Sequence, residues 1–231
     1  MPGATRSGLL LPMPMNPPRI ALIHATRLSM DPIDLALQRH WPQASRMHLL
    51  DESLSVDRAR DGRLTEAMVR RFETLALYAR DCGCDGLLFT CSAFGPAIEA
   101  AGRACGLPTH KPNQAMFNDA LAAGGRVALV ATFEPSIGSM SDEFSRQAPG
   151  VPLRTVHVPG AMESLARGDA ATHDAAIAEA VATLEDVDTV MLAQFSMARA
   201  RAAAQAPTRA RVLTSPDCAV LAMRAAVEAA R

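Results

Sequence analysis

The chain has 231 residues, and its 23 lysine and arginine side chains almost balance its 24 aspartate and glutamate side chains, for a formal net charge of -1. This length provides a sizeable core for one large domain or two smaller ones, which excludes a mini-protein held together by disulfides. The charges form no basic stripe, so nucleic acid is not expected as a partner.

Two further features of the composition narrow the cellular setting and the chemistry. The early apolar run at residues 9–11 is interrupted by prolines and is too short for a signal peptide or a membrane span. The number of cysteines is five, and an odd number is typical of free thiols in a reducing compartment. With no signal peptide or membrane span recognised, the sequence predicts a cytoplasmic protein without membrane attachment. Lys111 is the only lysine, and its HKPN surroundings fit neither a pyridoxal Schiff base nor a phosphate-binding loop.

Strands and helices are predicted to alternate after a leader. Residues 1–18 are rich in Pro, Gly and Met without periodicity and are predicted to be disordered. Strands are predicted at residues 19–25, 46–50, 86–90, 126–132, 153–157, 189–193 and 211–214. After a helical stretch that follows Asp31, helices are predicted at residues 65–82, 96–105, 114–123, 136–146, 170–184, 195–204 and 216–230. This alternation predicts parallel sheets that are covered on both faces.

The chain also contains an internal repeat. The segment RIALIHATRLSM from Arg19 resembles RVALVATFEPSIGSM from Arg126. At nearly the same offset, DGLLFTCSAFGPA from Asp85 resembles DTVMLAQFSMARA from Asp188. The alternative is that α/β strands look alike without any duplication. A duplication predicts an α/β fold of two pseudo-symmetric, open parallel-sheet (Rossmann-like) halves with the active site in the cleft between them. The predicted boundaries are 19–112 for the first half, 113–214 for the second, and 215–231 for a C-terminal helix that packs back on the first half.

Cys91 is the candidate catalytic residue, at the junction between a predicted strand and a predicted helix. Ligands in open α/β sheets bind at the carboxyl ends of strands, so the repeat places Cys91 opposite Gln194 across one cleft. A helix N-terminus favours the thiolate, which predicts a lowered pKa for Cys91. The backbone N–H groups of Ser92 and Ala93 are predicted to hold a substrate carboxylate or its ene-diolate. The alternative is a buried, inert cysteine.

Other polar side chains at predicted strand ends and helix starts are further candidates. His24 ends the first strand and is expected to line the same cleft as Cys91, with a structural role as the alternative. Hydroxyl groups that cap a helix or bind an anion are predicted at Thr132, Ser136 and Ser215. The remaining polar candidates are Ser196, Glu134 and His157. Structural roles and no metal site are predicted for Cys82, Cys84, Cys105 and Cys218.

The motifs FTCSAFGPA, VALVATFEPS, LAQFSMA and the closing TSP resemble the aspartate/glutamate/hydantoin racemase superfamily, which also includes arylmalonate decarboxylase and maleate isomerase. The resemblance covers the chain from about Arg19 to its end in strand order and motif spacing. It implies a two-halved fold that needs no cofactor and uses one cysteine from each half on opposite faces of a carbon next to a carboxylate. The first of these thiols corresponds to Cys91, and His24 matches an acidic, base-orienting residue of glutamate racemases. Carboxylate-contacting positions of the family are matched by Ser92, Thr132 and Ser215.

The chain departs from the family pattern at the second thiol. Where the family has LGCT or LGCAGM, this chain reads LAQFSM, so that Gln194 replaces the cysteine. An amide neither takes nor gives a proton at neutral pH, which argues against symmetric two-thiol racemisation. Arylmalonate decarboxylase is similar as a one-thiol variant but keeps the thiol of the second half, which implies protonation from the opposite face here. Glu134 stands near the position of a tyrosine hydroxyl in that enzyme, and its charge would repel a second carboxylate.

The residues and the resemblance together predict a cofactor-independent isomerase or lyase. It would act at the carbon alpha to the carboxylate of a small acid or amino-acid derivative, with Cys91 as acid/base and with His24, Gln194 and Ser196 at the catalytic centre. Two alternatives stay open: Cys91 as a covalent nucleophile in a maleate-isomerase-like reaction, and a non-catalytic small-acid-binding protein. The expected partner is a small carboxylate substrate, and the sequence leaves room for a homodimer or a higher homo-oligomer.

Overall fold

The computed structural model describes residues 16–231, so the predicted leader lies outside the described residues except for residues 16–18. The first elements are β1 (Arg19–His24), α1 (Met30–His40), β2 (Ser45–Leu50), α2 (Ser53–Asp61), α3 (Glu66–Asp81), β3 (Gly86–Phe89), α4 (Gly95–Cys105) and β4 (Thr109–His110). They are followed by α5 (Gln114–Ala123), β5 (Val127–Ala131), α6 (Pro135–Gln147), β6 (Leu153–His157), α7 (Ala161–Ala166), α8 (Ala170–Ala182), β7 (Thr189–Leu192), α9 (Arg201–Gln205), β8 (Arg211–Thr214) and α10 (Ser215–Ala230). Short 3-10 turns lie at Arg27–Ser29, Ser92–Phe94 and Phe195–Ala200.

Two four-stranded sheets with matching strand orders form the framework. The first has the order β2-β1-β3-β4 and the second the order β6-β5-β7-β8, and the pairings are parallel. The strands β3, β5 and β7 are buried along their whole length, as expected for strands that helices cover on both faces. The matching orders confirm the prediction of two pseudo-symmetric α/β halves.

A reciprocal exchange of helices joins the two sheets. The helix α5 follows β4 of the first sheet, yet Met116 and Phe117 pack in the core around the second sheet. The helix α10 follows β8 of the second sheet, yet Val220 and Met223 pack in a core that includes β1 of the first. A Cβ atom added to Gly86 of β3 would meet the Sδ atom of Met223 at 2.6 Å, so this close approach depends on a residue without a side chain. Each sheet is therefore covered in part by a helix that follows the other sheet in the chain.

Some short elements were missed by the sequence analysis because they carry a weak apolar pattern. The helix α2 buries only Leu54, and β4 is two residues long. The helix α7 has six residues, too few to show a helical period. The single helix predicted at residues 195–204 instead begins as a 3-10 turn and becomes α-helical only in α9. Among residues 16–231, no helix combines the length and the apolar character that a membrane crossing needs.

Candidate active site

A cavity of about 1110 Å³ lies where the carboxyl ends of the two sheets meet. The turns after β3 and β7 contribute Thr90, Cys91, Ser92, Ala93, Ala193, Gln194, Phe195 and Ser196 to its wall. Ser136, from the start of α6, also lines it. The cavity therefore brings together six of the nine residues predicted for the site and leaves out His24, Thr132 and Ser215.

Within residues 16–231, Cys91 is the one cysteine that lines the cavity. Its backbone is extended, and the backbone N–H of Ala93 lies in the 3-10 turn that follows it. Burial raises the pKa of the Cys91 thiol, and the nearby backbone N–H of Ala93 offsets only part of that rise. The predicted lowering of this pKa is wrong, because desolvation outweighs a helix whose first turn begins only at Gly95. At neutral pH Cys91 is therefore a thiol, a proton donor at rest.

Two other cysteines show the same effect of burial without contact to the cavity. Cys84 and Cys218 are buried, and desolvation raises the pKa of Cys84 to about 11. Desolvation raises the pKa of Cys218 as well, with Asp119 and Asp217 adding to the rise. These environments are those of packed, unreactive thiols.

Gln194 is held in place by a hydrogen-bond network that joins the end of β7 to the start of α6. Its Oε1 atom accepts from the N–H of Thr132 at 2.8 Å and from the Thr132 hydroxyl at 3.2 Å. Its Nε2 atom donates to Ser136 Oγ at 2.8 Å, and that hydroxyl donates to the carbonyl of Phe133. Thr132 is thus a buried support for Gln194 rather than part of the wall, which corrects its predicted place in the site.

His24 does not reach the cavity, contrary to the prediction. Side chains of a strand alternate between faces, so His24 lies on the same face as Ile20 and Leu22, the face that α1 covers. It is fully buried behind Thr90 and Ser29, which do line the cavity. Desolvation, followed by the neighbouring His48, lowers the pKa of His24 to about 4, so its imidazole is neutral at physiological pH.

Ser215 lies behind the cavity wall as well, and it orients a residue that the sequence analysis missed. The Ser215 hydroxyl is fully buried and donates to Oδ1 of Asn113 at 2.8 Å. Asn113 lines the cavity, and its Nδ2 group is buried without a hydrogen-bond partner among the described residues. A buried donor without a partner is rare in folded proteins, and this one belongs to a residue of the cavity wall. No sequence motif signalled Asn113, which is 102 positions from Ser215.

Charged groups surround the outer part of the cavity. Lys111 forms ion pairs with Glu99 of α4 at 2.9 Å and with Glu143 of α6 at 3.6 Å, and so links elements next to both sheets. Arg58 of α2 also lines the cavity, and its Nε group is buried without a partner in the described part of the chain. A guanidinium with a free donor suits a carboxylate ligand.

Other sequence candidates lie away from this arrangement. Glu134 is exposed and does not line the cavity, so the predicted repulsion of a carboxylate has no basis there; Phe133 and Pro135 line it instead. His157, at the end of β6, is likewise not part of the wall. Residues 16–231 contain no group of three or more His, Cys, Asp or Glu side chains placed to hold a metal ion.

Two similar α/β halves enclose a polar cavity that contains one thiol. This arrangement defines a class of enzymes with a duplicated fold and an active site at the junction of the two halves. The family described as Asp/Glu/Hydantoin racemase matches residues 21–223. The chain therefore belongs to the Asp/Glu/hydantoin racemase family and is an enzyme of that family. No curated protein sequence matches it significantly.

Solved structures with the same fold include three with informative names. A glutamate racemase isoform from Bacillus anthracis is 14% identical, with 93% of this chain and 83% of that chain covered and a TM-score of 0.69. Allantoin racemase from Klebsiella pneumoniae is 17% identical, with 92% and 89% covered and a TM-score of 0.67. Unliganded arylmalonate decarboxylase is 16% identical, with 91% and 93% covered and a TM-score of 0.63. At these identities the similarity is one of fold.

Proposed function

We propose that this enzyme transfers a proton at the carbon next to the carboxylate of a small acid or amino-acid derivative, without a cofactor, and that Cys91 is its acid/base group. The observation that carries this proposal is the position of Cys91 in the cavity, where it faces the turn of Gln194 from the opposite half. Gln194 has no proton to give or take at neutral pH. The single thiol of Cys91 can then exchange a proton with only one face of the reacting carbon.

The wall of the cavity offers donors for a carboxylate close to this thiol. The backbone N–H of Ser92 opens the 3-10 turn next to Cys91. The amide of Asn113 and the guanidinium of Arg58 each present a buried N–H group that lacks a partner among the described residues. Donors of this kind stabilise the negative charge that develops on a carboxylate when its alpha carbon loses a proton or carbon dioxide.

The protonation state of Cys91 favours proton donation to carbon over proton removal from carbon. A buried thiol with a raised pKa protonates a carbanion more readily than it removes a proton from carbon. It is also a poor nucleophile, because the thiolate is the nucleophilic form, and this argues against a covalent, maleate-isomerase-like role. A lyase or an isomerase that delivers its proton from one face fits these properties best, and arylmalonate decarboxylase offers a named example of the former on this fold.

A panel of small carboxylic acids in D₂O, followed by NMR, tests the proposal. We expect deuterium to enter the bond at the carbon next to the carboxylate in one configuration. Deuterium entering from both faces would contradict the one-thiol mechanism. An acid that protects Cys91 from alkylation but takes up no deuterium would instead indicate a protein that binds small acids without turning them over.

Replacing Gln194 by cysteine tests the missing second thiol. In Gln194→Cys we expect deuterium to enter from both faces, because a thiol from the second half supplies the second acid/base group. The variant should lose about 1 kcal/mol of unfolding free energy, since the N–H of Thr132 loses its acceptor. Gln194→Ser is the matched control, because it removes the same amide without adding a thiol. Deuterium entering from both faces in Gln194→Ser as well would contradict the role assigned to the second thiol.

Replacing Asn113 by aspartate tests the carboxylate site. The Ser215 hydroxyl can still donate to the new side chain, but the free N–H donor becomes a negative oxygen. We expect KM for the acid found in the panel to rise by about tenfold or more, with a smaller change in kcat. Asn118→Asp adds the same charge at an exposed position of the cavity and controls for general repulsion. Equal effects of the two substitutions would remove Asn113 from the binding site.

A further inference from the structure

Four polar side chains form a continuous hydrogen-bonded chain that begins at the wall of the cavity, and an ion-pair contact to Asp34 extends it to the outer edge of the first sheet. The hydroxyls of Ser29 and Thr90 lie 2.7 Å apart, and Nδ1 of His24 lies 3.0 and 2.9 Å from them. Nε2 of His24 lies 3.0 Å from Nδ1 of His48, whose Nε2 lies 3.2 Å from Oδ1 of Asp34. We refer to these five residues as the relay chain.

The two ends of the relay chain have different surroundings. Ser29 and Thr90 line the cavity, and Thr90 directly precedes Cys91. At the other end, the side chains of His48 and Asp34 are 25% and 34% exposed, so protons can leave to water there. His24, between them, is fully buried.

The hydrogen bond between the two imidazoles can run in either direction. With a hydrogen on Nδ1 of His48, that nitrogen donates to Nε2 of His24, and Nδ1 of neutral His24 donates to the hydroxyl of Thr90 or Ser29. Without that hydrogen, Nε2 of His24 donates to His48, and Nδ1 of His24 accepts from one of the hydroxyls. The imidazole rings of His24 and His48 lie within 14° of parallel, with their centroids 5.2 Å apart.

The charged groups around the two imidazoles lie at the solvent end of the relay chain. The charged and titratable groups that face the two imidazoles in the described region are Asp34 from α1 and, next to His48 on β2, Arg46. Arg46 shares the Oδ1 atom of Asp34 at 3.2 Å. It anchors the carboxylate without touching the imidazoles.

We propose that the relay chain carries protons between the cavity next to Cys91 and solvent at the outer edge of β2. In the direction that restores a Cys91 thiolate, His48 takes up a proton from solvent and passes the proton on its Nδ1 to Nε2 of His24. The proton on Nδ1 of His24 passes to the Thr90 hydroxyl, which releases its own proton into the cavity to the thiolate. Only N–H, O–H and S–H bonds break and form, and the net result is one proton moved from solvent to Cys91.

This inference rests on the proposed function, because a buried acid/base thiol must recover or lose a proton once in every turnover. Cys91 is half-buried at the end of β3 and lines the cavity, so a substrate bound there restricts its access to water. A path through the sheet lets the proton balance be restored while the ligand is still bound.

NMR of the full chain labelled with ¹⁵N-histidine tests the relay chain without any substrate. In the wild-type protein we expect a scalar coupling across the N–H···N bond between Nε2 of His24 and Nδ1 of His48. His48→Gln keeps an acceptor for His24 but cannot take up a proton, so exchange of the His24 ring proton with solvent should slow by about tenfold or more. His157→Gln, on the edge strand β6 of the second sheet, should exchange at the wild-type rate. Unchanged exchange in His48→Gln would overturn the relay.

Turnover adds a readout that a structural role for His48 would not give. With an acid found in the deuterium panel, His48→Gln should lower kcat by about tenfold with KM little changed, and imidazole buffer should restore the rate in a concentration-dependent way. A loss of kcat that buffer does not restore would contradict the relay. If the panel yields no turnover at all, the proposed function fails, and the exchange measurement by itself then decides the relay.

Discussion

Cys91→Ser is expected to lower turnover by about 10²- to 10⁴-fold, because the serine hydroxyl has far too high a pKa to exchange protons with carbon at the rate of a thiol. The fold should persist, since the two side chains are similar in size and Cys91 packs only at the edge of the core around the first sheet. The measurement is the initial rate of deuterium uptake together with the thermal unfolding midpoint of each variant.

The matched control for this substitution is Cys82→Ser. Cys82 is half-buried at the end of α3 and lies outside the cavity wall, so its replacement should leave the rate at the wild-type value. Full activity in Cys91→Ser would remove the thiol from the mechanism and direct attention to hydroxyl groups that line the cavity near the strand ends, among them those of Ser29, Thr90, Ser92 and Ser196.

Acidification from pH 6.5 to 4 is expected to cost about 3 kcal/mol of unfolding free energy through His24 alone, about 1.4 kcal/mol for each pH unit. The unfolded chain binds a proton at His24 below its ordinary pKa of 6.5, whereas burial in the folded protein delays protonation to about pH 4. Between these values the unfolded state holds more protons, so stability falls as the pH falls. Below about pH 4 both states are protonated and this contribution is fully lost.

Denaturant titrations of wild type and His24→Gln at several pH values measure this effect. The difference in unfolding free energy between the two should shrink by about 3 kcal/mol on going from pH 7 to pH 4, which separates His24 from the carboxylates that also titrate on acidification. A difference between wild type and His24→Gln that stays constant with pH would mean that the buried imidazole accepts a proton at its ordinary pKa.

The fold and the general position of the site could be predicted because they depend on local patterns. Buried parallel strands appear as short apolar runs, and the junctions that follow β3 and β7 placed Cys91 and Gln194 near each other through the repeat. The local sequence does not contain the depth of burial, and this depth decides the direction of the pKa shift of Cys91. Desolvation depends on how both halves pack around the thiol, which is known only from the tertiary structure.

The supporting residues of the site could not be predicted for a related reason. Asn113 becomes a candidate only because Ser215, distant in sequence, occupies its Oδ1 atom and leaves its Nδ2 group free. His24 was expected in the cleft from its place at a strand end, but the alternation of side chains turns it to the face covered by α1, where His48 meets it. Both facts depend on contacts between distant parts of the chain.

The exchange of α5 and α10 has a consequence for the origin and the integrity of the molecule. It is the intramolecular counterpart of a domain-swapped dimer. A half-length ancestor with the same arrangement would cover its sheet only by exchanging its last helix with a second copy. Fusion of two such copies into one polypeptide keeps the helix exchange and makes it independent of protein concentration. Neither half is then a self-sufficient folding unit, since either one expressed alone would leave part of an apolar sheet face open to water and would regain cover only by pairing with another chain.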